Sequence, residues 1–296
     1  MTTAFVLSGG GSLGAVQVGM LQALAARGVE PDLLVGTSAG ALNAGYLGGH
    51  GLTDASLEEL AAVWCGLRRR DVFPLEPARL AAAALGRTPS LCSNRPLRRL
   101  IQERLAFERL EDASIPVHVV ATDVRTGEEV LLSEGVAVDA ILASAAIPAV
   151  FPSVRIGDRD LVDGGIADNA AIAQAVALGA DVVYVLPTGY ACALGSAPST
   201  PLSSAMHALT LLIEQRLVLE VAHYADRVDI RVLPPLCPLS VSSIDFGQAA
   251  LLIDRARTAT ARWLDEGGPS LAHPERFLTL HRHHPTLEPS HGGHAA

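Results

Sequence analysis

Lysine is absent from this chain of 296 residues, so all 22 basic side chains are arginines, facing 31 acids for a formal net charge of −9. The densest basic stretch is only Arg68-Arg69-Arg70. Nucleic-acid binding calls for a wider basic field, so no such partner is expected. Aromatics make up 4% of the chain, so the core must be aliphatic. The four cysteines, Cys65, Cys92, Cys192 and Cys237, lie far apart and form no CxxC pair. That spacing argues against a zinc site and a disulfide framework, and fits a reducing compartment. The opening MTTAFVLSGGG has no basic stretch and a short apolar run, unlike a secretory signal. Nowhere do about 18 apolar residues run without charge or helix breakers, so no membrane span is expected. A cytoplasmic location follows, with any membrane contact peripheral and transient. No cofactor and no metal are expected.

What is present is enough apolar surface, 49% against 18% charged residues, for one sizeable core. Short β-rich runs alternate with longer helical ones. Strands read at Ala4–Leu7, Leu33–Val35, Val117–Thr122, Val130–Leu132, Asp160–Val162, Val182–Leu186 and Asp229–Leu233. Helices read from Ser12 to Arg27, with Leu13, Val16, Met20 and Leu24 on one face, and at Ala39–Leu47, Asp139–Ala145, Ala170–Leu178, Ser203–Ala225 and Gly247–Glu266. The alternation predicts an α/β sandwich with a largely parallel sheet. Residues 71–96, broken by Pro74, Pro77, Pro89 and Pro96, read as a surface excursion, a lid or a plain connector, with a helix at Ala78–Leu85. One domain is expected over 3–266. A tail follows over 267–296, histidine-rich from His281 and predicted to be disordered. Metal binding by such a tail is an unspecific expectation.

Gly9-Gly10-Gly11-Ser12-Leu13-Gly14 stands between a strand and a helix. Glycines there let backbone N–H groups face open space at a helix N-terminus, a geometry that binds a phosphate or an oxyanion. The match to GxGxxG raises a dinucleotide site. That site needs an acid at the end of the second strand, about 20 residues on. Glu30 and Asp32 precede that strand, at the wrong end of the sheet, so the dinucleotide reading fails.

In the place where the acid should be stands Gly36-Thr37-Ser38-Ala39-Gly40. GxSxG on a strand-to-helix turn is a nucleophile elbow, lifting the Ser38 hydroxyl above the sheet with a helix N-terminus behind it. Serine needs a base to become a nucleophile. His118 falls within a strand, His207 and His223 on a late helix, and the rest in the terminal region. None sits on a turn after a strand. Asp163 does, in Asp163-Gly164-Gly165. Asp123, Asp158, Asp160 and Asp168 are rivals, Asp123 in a natural turn and Asp168 placed to cap a helix. The residues alone favour Asp163 only narrowly over these rivals.

In this order, GGGSLG, GTSAG and DGG resemble the patatin-like phospholipase family, as do Ser144-Ala145-Ala146-Ile147-Pro148, Phe151-Pro152 and Ala177-Leu178-Gly179-Ala180-Asp181. The likeness runs from about Thr3 to Glu266. It implies a three-layer α/β/α sandwich and a Ser-Asp dyad that hydrolyses acyl esters of lipids through an acyl-enzyme. Ser38 would be the nucleophile and Asp163 its base. Gly9, Gly10, Gly11, Ser12 and Gly14 would form the oxyanion hole. The family's glycine loop often carries Arg or Lys before its last glycine, where this chain has Leu13. The amide cradle survives that change, but a cationic contact to a charged head group is lost. The implied class is a phospholipase A or lysophospholipase. An acyltransferase on a related fold and a non-catalytic lipid-binding regulatory protein are the alternatives.

Overall fold

The computed structural model describes residues 1–278 apart from 191, 195, 196 and 272. Its frame is a mixed sheet with helices on both faces. Five strands run parallel in the order β3 (Val117–Asp123), β2 (Leu33–Thr37), β1 (Thr3–Leu7), β7 (Val182–Leu186), β8 (Asp229–Val232). Three antiparallel strands complete one side: β4 (Glu129–Leu132), β5 (Val154–Ile156) and β6 (Arg159–Asp163). Strand β5, only three residues long, was not legible as a strand.

Strand alternation divides the core in two. Phe5 and Leu7 of β1 face one layer, Ala4 and Val6 the other. The first layer holds α1 (Gly14–Ala25), α2 (Ala39–His50), α3 (Asp54–Gly66), α4 (Arg69–Val72), α6 (Arg95–Arg104), α7 (Ala137–Ser144) and α10 (Ala249–Asp265), while α5 (Pro77–Ala84) contributes no buried residue to it. The second holds α8 (Ile172–Ala177) and α9 (Pro201–Tyr224). Helix α1 has its expected apolar face, but α10 closes over its back, so it is buried almost all round. The contact is close because a Cβ at Gly19 would stand 2.1 Å from the Ile253 carbonyl.

Helices α3 and α6 were not anticipated. The first opens on a reciprocal cap between Thr53 and Ser56 and buries Leu57, Leu60 and Trp64. The second buries Leu97 and Ile101 beneath its arginines. Residues 268–270 and 274–278, read from sequence as tail, form 3-10 turns, and Leu278 is buried in the second layer with α9. The histidine-rich segment lies outside the described residues.

The register of β3 places the site. On one edge β3 pairs with β4, Val120 opposite Leu131 and Ala121 opposite Val130. On the other edge β2 pairs as far as Thr37 with Val120, and there the chain leaves the sheet. Strand β6 enters antiparallel at the next position, Asp163 opposite Ala121. Asp163 therefore takes the slot beside the residue at which β2 turns away.

Candidate active site

Strands β1 and β2 are parallel neighbours ending together, Leu7 opposite Gly36, so the glycine loop and the serine turn leave from the same edge. At the turn Ser38 adopts φ 53° and ψ −118°, a strained conformation for a residue with a Cβ. Its flanking glycines make the turn possible. A Cβ at Gly40 would stand 2.0 Å from the Leu7 carbonyl, and one at Gly36 would stand 2.7 Å from Ala41 Cα.

Ser38 Oγ donates to Asp163 Oδ2 at 2.6 Å. The other carboxylate oxygen, Oδ1, accepts the Gly165 N–H at 2.9 Å. The end of α7 and the chain just after it brace both residues: Ser38 N–H donates to Ser144 Oγ at 2.8 Å, and Asp163 N–H to the Ala146 carbonyl at 3.0 Å. Burial pushes the Asp163 pKa up to about 6, against the lowering effect of the Ser38 and Gly165 hydrogen bonds.

The structure divides the glycine loop. Gly9 N–H is committed to Asn169 Oδ1 at 2.9 Å, and Ser12 N–H to the Ser243 carbonyl at 2.8 Å. Gly14 N–H turns back to the Gly11 and Ser12 carbonyls. Gly10 and Gly11 keep amides without a partner among the described residues. Of the five amides in the cradle expected from sequence two are thus unclaimed, because Asn169 and Ser243 take two donors and the loop's own carbonyls the third. Behind the loop, Gln17 Nε2 donates to the Ser8 and Leu186 carbonyls at 2.8 and 2.9 Å. Asn43 Nδ2 reaches Gln17 Oε1 and the Gly14 carbonyl, and Trp64 Nε1 donates to Asn43 Oδ1. This fully buried network ties α1, α2 and α3 to the loop.

The rival acids lie elsewhere. Asp123 Oδ1 accepts the Arg125 and Thr126 amides in its turn. Asp168 Oδ1 caps the Ala170 amide, and its carboxyl shares a hydrogen bond with Glu220, burial raising both pKa values. Asp160 pairs with Arg155 on the surface. Among the histidines, His118 Nδ1 contacts Ser133 Oγ at 2.7 Å. His207 lines the cavity over Ser38, which its helical position alone did not reveal.

Ser38 stands between two cavities. One, a narrow space of about 70 Å³, is walled by apolar side chains of α2, α3, α6 and α7, including Leu42, Val63, Leu97 and Ile141. The other, of about 450 Å³, opens past Gly10, Gly11, Asp163 and Asn169 toward α9. Arg69 lines this second cavity and brings a guanidinium that Leu13 does not. Of the 71–96 excursion, Phe73, Leu75 and Leu91 line it as well. The Leu91 and Cys92 amides anchor that segment to the Ala149 and Val150 carbonyls, while α5 buries nothing and Leu85 is exposed. Among the described residues, no cluster of His, Cys, Asp or Glu side chains is placed to hold a metal ion, and no helix is long and apolar enough to cross a membrane.

The edge of a mixed α/β sheet thus presents a strained serine on a glycine-flanked turn, hydrogen-bonded to an aspartate of a DGG turn. The chain belongs to the patatin-like phospholipase family, whose model matches residues 5–176. Uncharacterized NTE family proteins of Mycobacterium tuberculosis and Mycobacterium bovis are 30% identical to it over 147 residues. That match covers 50% of this chain and 38% of those relatives, well under half of their length. Among solved structures, VipD from Legionella pneumophila is similar over 90% of this chain and 67% of its own, at 18% identity and TM-score 0.48. Human GIVD cytosolic phospholipase A2, in complex with methyl gamma-linolenyl fluorophosphonate, is similar over 94% and 60%, at 12% identity and TM-score 0.43.

Proposed function

We propose that the protein is a serine hydrolase of lipid acyl esters, of phospholipase A or lysophospholipase type, working through a Ser38–Asp163 dyad. The observation that carries the reading is the 2.6 Å hydrogen bond from Ser38 Oγ to Asp163 Oδ2. Asp163 takes the Ser38 proton as Oγ attacks the ester carbonyl. Its pKa of about 6 makes it a stronger base than an ordinary carboxylate while leaving it largely ionised at neutral pH. The Gly10 and Gly11 amides receive the oxyanion, an interaction worth roughly 3 kcal/mol per donor in comparable sites. Asp163 then returns the proton to the leaving alcohol, and water attacks the acyl-enzyme by the same route.

The two cavities give the substrate a direction. The apolar chamber suits the acyl chain, and the polar, open cavity suits the alcohol. Leu75 at the open cavity and Leu85 further along the excursion are exposed, which supports a peripheral contact with a lipid surface. Arg69 offers a charge to an anionic head group. Labelling with a fluorophosphonate tests the assignment. Wild-type protein should label on Ser38 and Ser38→Ala should not; a folded wild-type protein that resists the probe and hydrolyses no ester would rule the reading out.

A further inference from the structure

Glu214 stands where the pattern of α9 calls for a hydrocarbon. The inner stripe of this helix runs through Thr210, Glu214, Leu217 and Val221 at helical spacing. Leu217 and Val221 are core residues, at 2% and 0% exposed, and Glu214 is 3% exposed just before them. It lines the same cavity as Ser38 and Asp163, on the side away from the apolar chamber. No ion pair or hydrogen bond holds its carboxyl among the described residues, although Asp168 and Glu220 nearby in the fold satisfy one another. Burial alone pushes its pKa up to about 7. A buried polar group without a partner is destabilising, and a leucine would meet the packing demand at this position without that cost. The group is thus left open toward the cavity, where a ligand can satisfy it.

With a pKa of about 7 the carboxyl is present at neutral pH in both forms; the neutral one donates and accepts, the ionised one accepts, and a hydroxyl complements either. Resting on the dyad reading above, we propose that Glu214 holds a hydroxyl of the substrate's alcohol portion. The site then selects esters of glycerol-type polyols over esters of simple alcohols. Glu214 is a specificity-determining residue in this scheme and takes no part in the proton transfer at Ser38. A site that pairs with a substrate hydroxyl discriminates against the analogue lacking it, because its own polar group is then left unpaired.

The test compares 1-octanoylglycerol with methyl octanoate, which share an acyl chain and differ in the alcohol. Wild-type protein should favour the glyceryl ester in kcat/KM. Glu214→Leu should lower the ratio of the two kcat/KM values about tenfold, the worth of one hydrogen bond, chiefly through KM. Glu214→Met is the second hydrocarbon variant should the leucine protein fail to fold. Glu214→Gln, still a donor and acceptor, should keep the ratio within about threefold. A parallel arm measures calorimetric binding of 1-O-octylglycerol and octyl methyl ether, which cannot be hydrolysed. Only the first should bind more weakly to the hydrocarbon variants. An unchanged ratio, or equal losses on both esters with unchanged ether binding, overturns the proposal. If no ester is cleaved and Ser38 resists fluorophosphonate, the dyad reading has failed; octylglycerol binding that depends on Glu214 then still upholds the hydroxyl site, and its absence rejects it.

Discussion

Thr37 and Asp163 are consecutive partners on one edge of β3, Thr37 opposite Val120 and Asp163 opposite Ala121. The dyad inherits this register: Ser38 follows Thr37 out of the sheet and meets the carboxylate that fills the vacated position.

Asp163→Asn is expected to lower kcat by about 10²-fold or more while substrate binding changes little, since asparagine keeps the shape and loses the proton acceptor. Asp123→Asn and Asp168→Asn should cost far less, because those carboxylates serve a turn and a cap. Steady-state kinetics on one ester for all three variants decides the matter. Near-normal turnover in Asp163→Asn beside an inactive Asp168→Asn would reassign the base.

The same substitution should stabilise the protein. Asp163 titrates near 3.8 when unfolded and about 6 when folded, so the native state binds the proton more tightly. Between those values stability falls as pH rises, and above about 6 the full penalty of the buried charge is present. Asp163→Asn should therefore melt at higher temperature than wild type at pH 8, by up to about 3 kcal/mol in stability. The advantage should fade as pH drops through 6 toward 4. Thermal melts at the two ends of that range check it, and equal differences at both would contradict the buried-charge account.

On the proposed mechanism the direction reverses for catalysis, since the ionised carboxylate is there the active form. With a simple alkyl ester, kcat/KM should decline below about pH 6, tenfold per unit. A limb at that pH is easily taken for a histidine, and His207 lines the cavity. Rate profiles of His207→Gln separate the two: the limb should persist, and its disappearance would hand the role to the imidazole.

Ser144→Ala removes the acceptor of the Ser38 amide. The buried N–H left behind should cost about 1–3 kcal/mol of stability, and the turn should hold its strained φ less firmly. Slower fluorophosphonate labelling of a folded Ser144→Ala protein is the expected result. Labelling at the wild-type rate would show that Gly36 and Gly40 alone fix the turn.

Val63→Phe narrows the apolar chamber without touching the dyad. The preference for long over short acyl chains should fall at least about tenfold, since each buried methylene is worth roughly 0.8 kcal/mol. Kinetics on p-nitrophenyl butyrate and decanoate measure the shift. An unchanged preference would place the acyl chain elsewhere.

The features legible in the sequence are those with unusual local backbone demands. Gly36, Gly40 and the Gly9–Gly11 run announce close approaches, and Gly164 and Gly165 mark the turn after β6. The partner of Ser38 was less legible, because Asp163, and not Asp123 or Asp168, reaches the serine through the pairing of β3 with two separate strands. The amides of Gly9 and Ser12 look free in sequence, yet Asn169 and Ser243 occupy them from far along the chain. Glu214 carried no local sign either. A glutamate on a long helix reads as solvated until the helix is known to lay that stripe over a cavity.

The slot that Asp163 fills has a consequence for when reactivity appears. Ser38 and Asp163 are 125 residues apart, and nothing short of β3 joined to both β2 and β6 brings them together. Long-range pairing of this kind comes late in assembly, after local helices have formed. On the proposed mechanism, a chain still emerging, or one that has lost β6 from the sheet, holds a serine without its activator. Recovery of esterase turnover during refolding would therefore mark the completion of the sheet itself, and a partly folded molecule would be silent toward the lipids around it.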